Sequence, residues 1–168
     1  IQRRDRVERV VVSEVGPDRR PIPGTEMTFD CDTVLLSVGL IPENELSRGA
    51  DIQMDPRTNG PVVYENMETS IPGVFACGNV LHVHDLVDFV TAEAARAGRA
   101  AAAYCAGKQT AEGRTLDIRN GSLVGYTVPQ HVRMDADFTG ADVFFRVRAV
   151  CGASRIVVRD ESGAQIAS

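Results

Sequence analysis

The residues best suited to chemistry lie together, between Thr69 and Asp88. A turn at Pro72-Gly73 leads into a short apolar run that ends at Gly78 and Asn79. Glycine removes the Cβ that would hold a ligand away from the backbone, and the asparagine amide both accepts and donates hydrogen bonds. A helix is predicted to follow, and the N–H groups at its start suit an electron-rich partner. The pattern predicts a ligand site between a strand end and a helix start.

Two histidines separated by a single residue come directly after this glycine. On an extended segment His82 and His84 would point to the same side, and with Asp85 and Asp88 nearby they suggest a metal site. No further ligand at a metal-binding spacing follows in the sequence, so we expect no metal. Because histidine titrates near neutral pH, proton transfer beside a bound cofactor is the preferred role for either side chain. The sequence offers no other catalytic candidate.

The glycine segment resembles part of one known family, the pyridine nucleotide-disulfide oxidoreductase superfamily of flavoprotein reductases with two dinucleotide-binding domains. The second FAD-contacting segment there reads Thr, several residues, an apolar strand and Ala-x-Gly-Asp. Here Thr69 precedes an apolar run that ends in Ala76-Cys77-Gly78-Asn79. Upstream, residues 31–43 resemble the segment that leads from the NAD(P)H domain back to the FAD domain. The resemblance covers residues 5–107.

The resemblance implies that Gly78, Asn79 and Val80 contact FAD, with Asn79 in the place of the aspartate that accepts hydrogen bonds from the ribityl chain. It also implies that the backbone of Phe89, Val90 and Thr91 meets the pyrimidine edge of the flavin. N–H groups there would stabilise the negative charge of the reduced flavin. Two simpler interpretations stay open: Asn79 caps a turn, and the other side chains only pack in a core.

The Gly-x-Gly-x-x-Gly fingerprint of that family, which seats a pyrophosphate on a helix N-terminus, occurs nowhere in the 168 residues, and the chain begins at Ile1 rather than Met. We therefore expect the C-terminal part of a longer flavoenzyme. Alone, the chain is expected to hold no FAD and to oxidise no NAD(P)H. It is also expected to associate at least as a homodimer, because strands that lack their usual neighbours pair with other copies.

The predicted fold class is α/β: the C-terminal half of an FAD domain with one long helix, a remnant of a two-dinucleotide-binding-domain flavoprotein, plus a small antiparallel β module. Residues 1–38 would end the NAD(P)H domain, residues 39–109 would belong to the FAD domain, and residues 110–168 would form the β module. The change at residue 110 follows from a polar, linker-like stretch and the loss of helical periodicity.

Local patterns predict the elements of the first two parts. Residues 7–15 and 25–29 read as a hairpin, and the apolar run 33–38 reads as a strand buried on both faces. A short helical turn is expected over residues 43–48. Asn59-Gly60 predicts a tight turn within a surface hairpin, residues 51–66, that includes a strand at residues 61–64.

A long helix is predicted over residues 86–106. Asp85 is the expected N-cap and Gly107 the expected stop. Apolar residues recur at three- and four-residue spacing and define the predicted inner face: Leu86, Val90, Ala94, Ala97, Ala101 and Tyr104. In the β module we predict strands at residues 124–128, 142–150 and 155–159, with Arg146 and Arg148 facing solvent or a subunit interface.

Composition excludes several classes of protein. The net charge of -5 argues against nucleic acid as a partner, and no apolar run is long enough for a membrane span. The four cysteines lie far apart with no Cys-x-x-Cys pair, which suits a reducing cytoplasm and makes Cys77 a small buried hydrophobe.

The expected function, as the resemblance implies it, is that of an FAD-dependent NAD(P)H oxidoreductase. Hydride would pass from NAD(P)H to flavin, and electrons would continue to an unidentified small-molecule or protein acceptor. One alternative is an FAD-binding electron-transfer or regulatory subunit. Another is a β module that docks a partner protein and has no catalytic activity of its own.

Overall fold

The chain divides into two compact units, one from Ile1 to Gly39 and the other from Leu40 to Ser168. The computed structural model describes residues 2–3, 6–108, 113–134 and 138–167. The division between the units falls beside the predicted end of the NAD(P)H-domain remnant at residue 38. The second predicted boundary, at residues 109 and 110, lies outside the described residues.

The first unit contains an antiparallel sheet of β1 (Gln2–Arg3), β2 (Val7–Val12) and β3 (Met27–Asp30), in the order β1-β2-β3. Val10 pairs with Phe29 and Val12 with Met27, which confirms the predicted hairpin. The β-branched run of β2 favours a strand, and the turn-rich residues 16–24 separate it from its partner.

The predicted strand at residues 33–38 is wrong. These residues form no regular element, and the side chains of Leu35 and Val38 are each 92% exposed. An apolar run becomes a buried strand only where neighbouring strands supply its hydrogen bonds and cover both faces. No strand of the described residues pairs with it, so local sequence alone does not make it a strand.

The second unit contains α1 (Glu45–Gly49), a 3-10 turn (Gly78–Val80) and α2 (Val87–Cys105). The long helix is confirmed, and it stops as predicted, since Gly107 takes a left-handed φ of +76° and Lys108 N–H bonds to Ala103 O at 3.0 Å. The helix starts one residue later than predicted, and the prediction of Asp85 as its N-cap is wrong. Leu86 is the N-cap and provides no side-chain hydrogen bond, because Asp85 is engaged by Arg146 instead.

The inner face of α2 differs from the predicted apolar stripe. Leu86 and Ala94 are exposed, whereas Glu93 and Ala97 are buried. The buried face is therefore rotated about the helix axis relative to the predicted one, and the Glu93 carboxylate lies at the centre of the buried face. A buried carboxylate needs hydrogen-bond partners, and these partners come from the turn that precedes the helix.

The segment of residues 51–69 forms the core rather than a surface hairpin. Val63 and Met67 are fully buried and pack with Leu81, Ala97 and Val128. Isolated bridges replace the predicted strand at residues 61–64, with Met54 opposite Pro61 and Val63 opposite Thr69. The Asn59-Gly60 turn is present, with φ of +58° at Asn59.

Within the described residues, the C-terminal strands form three two-stranded antiparallel ladders, β4–β6, β5–β7 and β8–β9. Their bounds are β4 (Arg114–Asp117), β5 (Val124–Val128), β6 (His131–Met134), β7 (Phe144–Val147), β8 (Val158–Arg159) and β9 (Gln165–Ala167). The strand predicted at 124–128 is confirmed, and β7 and β8 are shorter than predicted. The Val63 N–H donates to Gln130 Oε1 and the Arg133 N–H donates to Glu65 Oε2, and these bonds join the strands to the core segment. Tyr126, on β5, is thereby placed beside the 78–84 segment.

None of the helices in the described part of the chain combines the length and the apolar character that a membrane span requires.

Candidate functional site

Gly78 turns the chain at the end of the apolar run. Its φ of +74° is a left-handed conformation that residues other than glycine adopt only with strain. Gly78 is buried, its N–H donates to Glu93 Oε1 at 2.6 Å, and its C=O accepts from the N–H of Leu81 at 2.9 Å. The glycine is therefore required by the backbone conformation, and its own polar groups bond within the protein.

Glu93 is the centre of a buried group of polar side chains. His82 Nε2 lies 2.9 Å from Glu93 Oε2, and His84 Nε2 lies 3.2 Å from Glu93 Oε1. We call these three side chains, with the Gly78 N–H, the Glu93 cluster. The side chain of Glu93 is only 1% exposed, so each bond replaces one that water would make.

The Glu93 carboxylate is charged despite its burial. Burial opposes the charge, but hydrogen bonds from His82 and from the Gly78 N–H hold the pKa of the carboxyl below its usual value. An ionised carboxylate only accepts hydrogen bonds. The groups around Glu93 must therefore be donors.

Two asparagines fix the turn that carries the histidines. Asn79 Oδ1 accepts from the backbone N–H of His84 at 3.1 Å, so the simpler interpretation of Asn79 as a turn cap matches the structure. Asn44, which is 3% exposed, donates from Nδ2 to Val80 O at 2.8 Å and to Asn59 O at 2.9 Å. Asn79 thus closes the turn internally, and Asn44 joins it to the core segment.

Arg146 and Tyr126 extend the cluster outward. Tyr126 Oη lies 3.3 Å from His82 Nδ1, and Arg146 Nε donates to Tyr126 Oη at 3.1 Å. Arg146 also donates to Asp85 Oδ2 at 2.8 Å. The bond to Tyr126, followed by the one to Asp85, raises the pKa of Arg146. Arg146 faces solvent as predicted, with 44% of its side chain exposed, and these partners hold its guanidinium in place.

The start of α2 brings a set of backbone donors near the turn. With Leu86 as N-cap, the first intrahelical bond is made by the N–H of Val90, and the preceding N–H groups have no partner within the helix. The sequence analysis places Phe89, Val90 and Thr91 at the pyrimidine edge of the flavin. Of these, Phe89 has an N–H without a partner in the helix. Those of Val90 and Thr91 belong to the helix, and the Thr91 hydroxyl bonds to Val87 O at 3.1 Å.

Cys77 is a partly buried thiol next to Gly78. Burial, followed by the nearby charge of Glu93, raises its pKa, so it stays protonated and weakly nucleophilic. All four cysteines are free. This agrees with the interpretation of Cys77 as a small hydrophobe.

The sequence predicted no metal because it showed no third ligand for His82 and His84. A third group does join His82 and His84: their ring nitrogens and a Glu93 oxygen lie within 4.8 Å of one another. The spacing would allow a metal ion. Each of these atoms, however, already takes part in a hydrogen bond of the Glu93 cluster.

Three residues of the site were missed from the sequence: Glu93, Tyr126 and Asn44. Glu93 had a detectable signal, since it lies three residues after Val90 and four before Ala97, within the apolar stripe of the helix. A charge at such a position must find a partner, and the nearest candidates were the two histidines. Tyr126 and Asn44 gave no local signal, because their contacts join distant parts of the chain.

Comparison with known proteins identifies the family of this chain. A family model described as pyridine nucleotide-disulphide oxidoreductase matches residues 3–110, more than half of the 168-residue chain. The matched range includes the Gly78 turn, both histidines and α2.

Three curated proteins are similar over shorter segments. Mitochondrial dihydrolipoyl dehydrogenase of Caenorhabditis elegans is 39% identical over 59 residues, 34% of this chain and 12% of that protein. Ferredoxin–NADP reductase of Leuconostoc mesenteroides is 36% identical over 59 residues, 35% of this chain and 18% of that protein. Putidaredoxin reductase of Pseudomonas putida is 42% identical over 53 residues, 32% of this chain and 12% of that protein. Each match spans less than a fifth of the relative. On the family match, the chain belongs to the pyridine nucleotide-disulphide oxidoreductase family.

Proposed function

We propose that the chain forms the C-terminal part of an FAD-dependent NAD(P)H oxidoreductase. In it, hydride passes from the nicotinamide to the flavin, and electrons continue to a small-molecule or protein acceptor. Membership of the family supports flavin and pyridine-nucleotide chemistry in general. Bound FAD would supply the redox chemistry, while the chain would bind and orient it.

The observation that carries the proposal is the meeting of the Gly78–Asn79 turn with the start of α2. Leu86 offers no side-chain cap, so N–H groups of the first turn remain available to an electron-rich flavin edge. Asn79 uses its carbonyl oxygen for His84, which leaves its NH2 group for a sugar hydroxyl. The described groups therefore fit part of an FAD molecule, through donors rather than through a carboxylate.

The location and assembly of the protein are part of the same proposal. Four scattered free cysteines favour a reducing compartment such as the cytoplasm. Apolar side chains left open on β2, β3 and β7 favour association between copies.

A second function is favoured by the exposed side of the β module. Phe145 and Val147 on β7, and Val143 just before it, are each about half exposed, at 42%, 46% and 42%, and lie at alternate positions. An apolar face of this kind suits a partner protein. It would serve docking alongside the redox function.

The test uses the natural protein that contains this chain. We expect bound FAD, identified after release by denaturation, and loss of its visible absorption when NADH or NADPH is added without oxygen. A flavin that stays oxidised with both nucleotides would exclude an NAD(P)H oxidoreductase.

A further inference from the structure

A pocket of about 480 Å³ opens beside the Glu93 cluster. Its wall is formed by apolar and polar side chains, among them Phe89, Val143, Phe144, His82, Tyr126 and Arg146. An apolar wall with a few convergent polar groups is the usual composition of a small-molecule site. The polar groups here belong to one continuous chain of hydrogen bonds.

The two ends of that chain fix the direction of its two outer bonds. A guanidinium only donates, so Arg146 Nε–H donates to Tyr126 Oη at 3.1 Å. The ionised carboxylate only accepts, so His82 Nε2–H donates to Glu93 Oε2 at 2.9 Å. With the His82 ring neutral, Nδ1 accepts the proton of Tyr126 across 3.3 Å. That direction corresponds to the Nε2–H tautomer, with the Nδ1 lone pair facing Tyr126.

We propose that Tyr126 is the proton-accepting residue of a binding site for small hydroxyl-bearing organic molecules in this pocket. A ligand O–H bond breaks as an O–H bond forms at Tyr126, and the original tyrosine proton moves to His82 Nδ1. The imidazolium so formed lies against the Glu93 carboxylate, which stabilises it. In net terms one proton passes from the ligand to His82, and no electrons are transferred.

This inference concerns proton transfer in the pocket and does not rest on the proposed redox function. Asp85 bonds to the Arg146 guanidinium and offsets its charge. A neutral alcohol therefore suits the pocket better than a carboxylate.

The first test measures the histidine tautomers of the 168-residue chain by nitrogen-15 NMR. His82 should be protonated at Nε2 and act as an acceptor at Nδ1. His131, whose Nδ1 lies 2.8 Å from Asp117 Oδ1, gives the opposite pattern in the same spectrum. Tyr126→Phe should shift the His82 Nδ1 resonance, and Tyr64→Phe should not. Protonation of His82 at Nδ1 in the wild type, with Nε2 bare or bound to added Zn²⁺, would overturn the proposal even if Tyr126→Phe failed to fold.

The second test uses benzyl alcohol as the probe and benzyl methyl ether as its matched control. Both should perturb Val143, but only the alcohol should shift His82 Nδ1, and Tyr126→Phe should abolish that shift. Equal responses of His82 to alcohol and ether, or no response in the pocket, would contradict the proposal. Neither test involves flavin, so their failure and a failure of FAD binding are separate results.

Discussion

Glu93 Oε1 accepts the backbone N–H of Gly78 at 2.6 Å, so a carboxylate in the second turn of α2 fixes the left-handed turn that precedes the helix. The other oxygen of the same carboxylate bonds to His82 at 2.9 Å. One side chain thus sets both the backbone turn and the orientation of an imidazole. The segment assigned to the cofactor and the polar pocket beside it depend on the same residue.

Removal of Glu93 should therefore destabilise the protein more than a surface change. Glu93→Ala leaves the Gly78 N–H and two imidazoles without their partner, and we expect a loss of about 3 kcal/mol in the free energy of unfolding. Glu43→Ala, at an exposed position, is the control and should change it by less than about 0.5 kcal/mol. Denaturant unfolding measures both. Equal stabilities for the two variants would show that the Glu93 cluster contributes nothing.

The same carboxylate predicts a pH dependence. Because the fold lowers the pKa of Glu93, its ionised form contributes stability above its usual value of 4.5, and that contribution is lost as the pH falls through the lower folded pKa. Glu93→Gln lacks this pH-dependent contribution to stability, because its amide does not ionise. The stability difference between wild type and Glu93→Gln should shrink between about pH 5 and about pH 3. A difference that grows on acidification would have the wrong sign for an ionised Glu93.

Two glycines provide a matched pair of substitutions. A Cβ at Gly60 would overlap Leu81 O, so Gly60→Ala must displace the backbone just before the histidines. At Gly98, inside α2, a Cβ meets nothing within 4 Å. We expect Gly60→Ala to lower the melting temperature, and Gly98→Ala to stabilise by about 0.5–1 kcal/mol. Calorimetry distinguishes them, and a neutral Gly60→Ala would show that the 78–84 segment tolerates movement.

The 168-residue chain by itself should bind no FAD and should associate at least as a dimer. The Gly-x-Gly-x-x-Gly element that seats the pyrophosphate is absent from its sequence, and apolar side chains such as Leu35 and Val38 are exposed. Calorimetric titration with FAD and light scattering measure both properties. Stoichiometric, tight FAD binding by a strict monomer would contradict this expectation.

Sequence patterns found the elements that depend on neighbours along the chain. The β2–β3 hairpin and α2 with its Gly107 stop follow from β-branched runs, apolar periodicity and glycine conformation. The run at residues 33–38 gave a false strand, because ladder partners are not encoded in the run itself. Asp85 was assigned as a cap from its position, but the guanidinium of Arg146 binds it instead.

For the same reason, only part of the site could be predicted from the sequence. The glycine and the two histidines lie in one stretch, and sequence reasoning found them. Tyr126 is 44 residues from His82, and only the packing of β5 on the core brings them together. Glu93 could have been found, because a charge in an apolar helical stripe requires a buried partner.

The most direct test of the central claim is the FAD affinity of the natural protein that contains this chain, compared among three forms after removal of its flavin. The wild type should bind FAD, and Asn79→Asp should bind it as tightly or more tightly, since aspartate accepts the same hydrogen bond from His84. Gly78→Val should lose binding, because valine at a φ of +74° is strained and displaces Asn79 and the start of α2. Circular dichroism must show that this variant is folded. Equal FAD affinity in folded Gly78→Val and wild type, or a folded wild type that takes up no FAD, would contradict the assignment.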